Sequence, residues 1–143
     1  VGAAGLMQIM PATARWIAGQ LGLSKAKAAE HVKEPEENIR YGTYYLKSIH
    51  GSLGQSAVLA TAGYNAGPGR ARKWQADKPL EAAIYIDNIP ILETRDYVRK
   101  VMANAIFYSQ RFGSDHNSLK ARLGVIPART KGANGDGASP DPD

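Results

Sequence analysis

Residues 56–67, SAVLATAGYNAG, are the most apolar run in the chain. Their length and small side chains predict a buried helix that stops near Gly67, where glycine ends helices and Pro68 can open the next one. The same punctuation continues on both sides. Upstream, Pro11 opens residues 12–22, ATARWIAGQLG, with Trp16, Ile17 and Leu21 at helical spacing before Gly22. Ser24 is placed to cap a short helix over 25–33, KAKAAEHVK, which Pro35 ends by restricting Glu34. Residues 35–54 then read as a longer helix with an acidic first turn and Ile39, Gly42, Leu46 and Ile49 on one face.

Downstream, PGRARKWQA (68–76) and PLEAAIYIDNIP (79–90) each read as a proline-initiated helix. The last helix covers 93–113, where Tyr97, Val101, Ala105 and Phe112, flanked by Val98, Met102 and Ile106, form a wide apolar stripe. No segment sustains the alternation of a strand, so the expected architecture is all-α without a sheet. From IPARTKGANGDGASPDPD (126–143) onward, Gly, Pro, Ser and Asp dominate and a disordered tail is expected, mostly from about residue 127.

Composition narrows the chemistry. The 143 residues suit one domain, and the absence of cysteine removes disulfides, thiolate metal sites and cysteine nucleophiles. His31, His50 and His116 have no metal-binding spacing and read as surface or boundary residues, so no metal and no cofactor is expected. The formal charge of +5 suits an anionic partner or simply a solvated basic surface; the tail carries −1 and the remainder +6. No clustered basic docking motif marks a nucleic-acid binder. No stretch reaches membrane-spanning length. A first residue of Val1 instead of Met is expected for a fragment or a processed product.

Several motifs place unusual residues at helix ends. Taken singly each has an ordinary reading: Met7 as core filler, Gly63 and Gly67 as close packing and a helix stop, Tyr97 as an amphipathic core tyrosine. Together, GAAGLMQIMPATA (2–14), IRYGTYYLKSI (39–49), AGYNAGPGRARKW (62–74) and IPILETRDYVRKVMANAIFY (89–108) resemble the catalytic domain of the soluble and membrane-bound lytic transglycosylases of the SLT family. The resemblance runs in the right order from about Gly2 to Phe112. It implies a lysozyme-like all-α fold with a saccharide groove, over residues 1–112, followed by a C-terminal extension over 113–143. Gly63 stands where the family often has alanine.

The resemblance also implies the reaction. One glutamate, in a Glu-Ser element just before the position of Val1, protonates the glycosidic oxygen between MurNAc and GlcNAc. The muramic C6 hydroxyl then attacks the anomeric carbon and leaves a 1,6-anhydro end. One carboxyl serves as acid and then base, so a second is not required. That glutamate is expected upstream of Val1, and the chain alone is expected to be inactive. Glu34, Glu36 and Glu37 open a helix, where the dipole favours the ionised carboxylate, the wrong form for an acid.

Position by position, the resemblance assigns Met7, Gln8, Tyr64, Asn65, Glu93 and Tyr97 to substrate binding, with Tyr97 equally readable as core. Gln8 offers donors and an acceptor to an N-acetyl group, and Tyr64 can cover a sugar face while its hydroxyl bonds. Arg70, Arg72 and Lys73 could meet acidic stem peptides or form an exposed basic face; Asp77, Glu81 and Asp87 read as solvated. The implied partner is peptidoglycan, the implied location the periplasm or cell envelope, and a monomer is expected. A non-catalytic, lysozyme-like glycan-binding or structural module is the alternative.

Overall fold

The structure, a computed structural model, describes residues 2–113 and 118–130. Helix α4 (Ala57–Ala66) is its centre, with Val58, Leu59, Ala60, Thr61, Ala62, Gly63 and Ala66 all buried. Ser56 caps it by accepting from the Leu59 amide at 3.2 Å, and Gly67 ends it at φ 95° before Pro68 opens α5 (Pro68–Lys73). Around α4 pack α3 (Pro35–Ser52), α5 and α7 (Leu92–Phe112), while α1 (Pro11–Gln20) packs on α3 and on the single turn α2 (Ala28–His31).

The buried face of α3 is only partly the expected one: Gly42 and Ile49 lie on it as expected. Asn38, Tyr41, Gly42, Tyr45 and Ile49 point inward, while Ile39 and Leu46 are exposed, so tyrosines and an asparagine supply the packing that aliphatics were expected to give. Tyr41 and Tyr45 carry more apolar area than either aliphatic, which favours the face that buries them. Helix α2 is also shorter than expected. Residues 25–27 form a turn, Lys27 stands at the helix start without a side-chain cap, and the Lys25 stem lies over Gly19. Ser24 therefore does not cap it.

Pro79 does not open a helix: Leu80–Glu81 form strand β1, antiparallel to β2 (Val125–Ile126), and α6 (Ala82–Asp87) begins only afterwards. The pairing buries Ile126, which is 1% exposed. Beyond it the Arg129 amide donates to Ala76 O at 2.8 Å and Gln75 Nε2 to Pro127 O at 2.9 Å, so the expected disorder does not begin at 127. Helix α8 (Leu119–Leu123), capped by Ser118, leads into this ribbon. The rest of the expected tail, 131–143, and His116 lie outside the described residues.

Helix α7 buries Thr94, Val98 and Met102 in its first half, but Ala105, Phe107, Tyr108 and Phe112 in its second half are exposed. The apolar stripe read from its sequence is therefore covered for only part of its length. Among the described residues, no helix is long and apolar enough to cross a membrane.

Candidate functional site

One cavity of about 520 Å³ opens between the loop before α1, the start of α1, α3, the end of α4 and the start of α7. Met7, Gln8, Tyr64, Asn65, Glu93 and Tyr97 all line it, so residues from three distant motifs are brought to one place. Leu6, Met10, Thr13 and Tyr45 complete much of its wall.

The loop wall is built on one side chain. Ala4 and Ile9 exchange both backbone hydrogen bonds at 3.0 Å, closing residues 4–9 into a tight turn with Gly5 at φ 69° and Gln8 at φ 48°. Buried Asn38 of α3 holds this turn: its Oδ1 accepts from the Met7 amide at 2.8 Å, and its Nδ2 donates to Ala4 O at 2.9 Å and Val32 O at 2.8 Å. Asn38 also occupies the space a Cβ at Gly5 would need, so Gly5 is required both for its φ and for this contact. Met7 in turn lies where a Cβ at Gly42 would stand, so α3 gives the loop a smooth seat.

The opposing wall is helical. Tyr64, near the end of α4, donates its hydroxyl to Met7 O at 2.8 Å, tying the two walls together. Its ring packs on Tyr45 at 5.4 Å between centroids, and Tyr45 on Trp16 at 6.1 Å. Burial pushes the Tyr64 hydroxyl pKa well above the ordinary tyrosine value, with Tyr97 and Tyr45 adding to the effect; burial also raises Tyr97. The Tyr64 proton therefore stays in place and is spent on the loop carbonyl. The Tyr64 hydroxyl oxygen keeps the capacity to accept a hydrogen bond.

Gln8 likewise spends one amide donor inside its own loop, on Gly5 O at 2.8 Å, and keeps its carbonyl oxygen for other partners. Asn65 accepts from the Thr94 hydroxyl at 2.6 Å. Glu93, exposed in the first turn of α7, is the one carboxylate among the described residues lining the cavity, and half-buried Tyr97 follows it one turn later.

The basic residues lie elsewhere. Arg70 donates to Ala66 O at 3.2 Å and Arg72 to Ser52 O at 3.3 Å, capping neighbouring carbonyls, and Lys73 is exposed; none of the three lines the cavity. Asp77, Glu81 and Asp87 are exposed and form surface ion pairs with Arg129, Lys120 and Arg99. Asn38 and Thr94 were missed from sequence. A polar side chain on the buried face of each helix was the signal available, and only the correct helix face would have revealed it.

The transglycosylase SLT domain model matches residues 1–85. The soluble lytic murein transglycosylase of Salmonella typhimurium is 39% identical over 79% of the chain, and that of Escherichia coli K12 is 36% identical over 85%. The chain spans only 18% and 19% of those proteins' lengths. Among solved structures, a lytic transglycosylase of Pseudomonas aeruginosa, a glutamate-to-glutamine mutant described as inactive, superposes with a TM-score of 0.68 at 42% identity. That match covers 75% of this chain and 17% of the other. The 70 kDa soluble lytic transglycosylase of Escherichia coli gives 0.67 at 34% identity, over 86% of this chain and 19% of the other.

Proposed function

The chain belongs to the transglycosylase SLT domain family, and from that premise we propose that it forms the glycan-binding part of a peptidoglycan lytic transglycosylase. The observation carrying this reading is the convergence of Met7, Gln8, Tyr64, Asn65, Glu93 and Tyr97 on one cavity of about 520 Å³. Such a lining, with apolar and aromatic faces and a few polar groups, suits a sugar ring bearing an amide. Residues 1–112 make up this domain, and 113–143 an extension of it.

In the proposed reaction a carboxylic acid protonates the oxygen linking MurNAc C1 to GlcNAc as the C1–O bond breaks. The same carboxylate then takes the proton of the muramic C6 hydroxyl while that oxygen bonds to C1. The GlcNAc hydroxyl leaves, a 1,6-anhydro end forms, and no water is consumed. The inactivity of the glutamate-to-glutamine mutant in the Pseudomonas aeruginosa relative supports an essential glutamate.

We assign that acid to sequence outside this chain. Glu93 is exposed at a helix start, and its place at the cavity suits substrate binding. Action on murein places the protein at the cell envelope.

The test is digestion of purified peptidoglycan sacculi by the 143-residue chain alone and by a longer protein that supplies the glutamate segment, with sugar ends identified by mass spectrometry. Anhydro ends from the longer protein only, abolished by glutamate-to-glutamine substitution, are expected. Reducing ends would replace the reading with a hydrolase, and sacculi bound but uncut by the longer protein would replace it with a non-catalytic module.

A further inference from the structure

Thr94 is 1% exposed in the first turn of α7, and it meets Asn65 of α4 across the helix interface with 2.6 Å between Oγ1 and Oδ1. That separation belongs to an O–H···O bond and is short for N–H···O. Reversing the Asn65 amide would make Thr94 the acceptor and take from its buried hydroxyl proton the acceptor it uses in this structure, at the cost of an unmade hydrogen bond. The satisfied arrangement therefore has Thr94 donating and Asn65 Oδ1 accepting. The Asn65 Nδ2 group, with two donors, has no protein partner among the described residues, and Asn65 lines the cavity.

We propose that Thr94 is a positioning residue: it locks the Asn65 amide with its donors presented to the cavity, so that this wall selects a ligand group that only accepts hydrogen bonds, the carbonyl of an acetamido substituent. The proposal rests on the glycan-binding reading above and extends it to the group recognised. A ligand hydroxyl can reorient to suit either face of an amide, whereas an acetamido oxygen cannot donate. Fixing Asn65 one way round therefore favours the group that needs the donor face, because the amide no longer has to be oriented when that group binds. A site built to make such a bond rejects the analogue lacking it.

The test is calorimetric titration of the 143-residue chain with tri-N-acetylchitotriose and with cellotriose, which has the same β-1,4 backbone and no acetamido groups. Thr94→Val keeps the shape of the side chain and removes the hydroxyl; Thr94→Ser keeps the hydroxyl. The original chain is expected to prefer the acetylated trimer. Thr94→Val is expected to lose about tenfold in affinity for it, with cellotriose unchanged, and Thr94→Ser to stay within about twofold of the original.

An unchanged preference in Thr94→Val, or an equal loss in Thr94→Ser, overturns the positioning role while leaving the glycan reading intact. A folded original chain that binds neither trimer overturns the glycan reading and this inference with it; one that binds both equally overturns the acetamido selection and leaves glycan binding intact. Circular dichroism melting of each variant separates these outcomes from misfolding, and Thr94→Ala, which also removes the hydroxyl, takes the place of Thr94→Val if that variant does not fold: the same loss of preference supports the role and an unchanged preference overturns it.

Discussion

The cavity has two walls held by opposite means. The α4 wall belongs to the core: its residues are buried over most of the helix, and packing on three neighbouring helices fixes Tyr64 and Asn65. The loop wall, residues 4–9, has one pair of exchanged backbone bonds and an exposed Leu6, and hangs on Asn38. Rigidity at the site thus comes from burial along a whole helix on one side and, on the other, from the hydrogen bonds of Asn38 and Tyr64 with Ile9 as the single fully buried anchor. Damage to the first wall should spread through the fold, and damage to the second should stay local.

The largest effect expected is at Leu59, fully buried in α4. Leu59→Ala should cost about 3 kcal/mol, through lost transfer energy and the cavity left behind. Urea unfolding should show a lower midpoint with an unchanged slope, and hydrogen exchange should speed throughout α3, α4 and α7. Acceleration confined to α4 would break the contrast.

Asn38→Leu comes next. It leaves the Met7 amide and the Ala4 and Val32 carbonyls without their partner, at about 2 kcal/mol after partial resolvation of the loop. The loop amides should exchange faster and tri-N-acetylchitotriose affinity should fall, while protected α4 amides slow or quicken only in step with global stability. Gly5→Ala should act in the same direction and cost about 1.5 kcal/mol, because φ 69° disfavours a Cβ and Asn38 fills its space. If either variant unfolds α4 before the loop, the loop is not the separable wall described here.

This contrast also explains what could be read from sequence. The helix order, the buried run at 56–67 and the six cavity residues were legible because each depends on local pattern or on motifs that travel together. Asn38 and Thr94 were not, because a polar residue on a helix reads as solvated until the buried face is known, and the expected face of α3 carried Ile39 and Leu46. The tyrosines at 41 and 45 won that face by bulk. Helix α7 shows the complementary failure: periodicity identifies a stripe but not how much of it has something to pack against, and Phe107, Tyr108 and Phe112 stand exposed on the same helix that buries Val98. The β1–β2 ribbon, two residues a side, is too short to leave an alternating pattern at all.

The smallest effect expected concerns the bond joining the walls. Tyr64→Phe removes the hydrogen bond to Met7 O and should cost about 1 kcal/mol at neutral pH. It should also change the alkaline limb of stability. Burial raises the Tyr64, Tyr85 and Tyr97 hydroxyls above their ordinary value, so as pH climbs past about 10 the unfolded chain gives up phenolic protons that the folded chain retains. The unfolded state then binds fewer protons, and stability falls as pH rises; the contribution is fully present below about pH 10 and is lost above it. Each such tyrosine adds a slope approaching about 1.4 kcal/mol per pH unit, so Tyr64→Phe should flatten the decline by part of that amount. Urea midpoints at neutral pH and at two values above pH 10 measure it. An unchanged alkaline slope would mean that the Tyr64 hydroxyl is free to ionise in the folded protein, and the two walls would then be joined by packing of the Tyr45 and Tyr64 rings instead of by this proton.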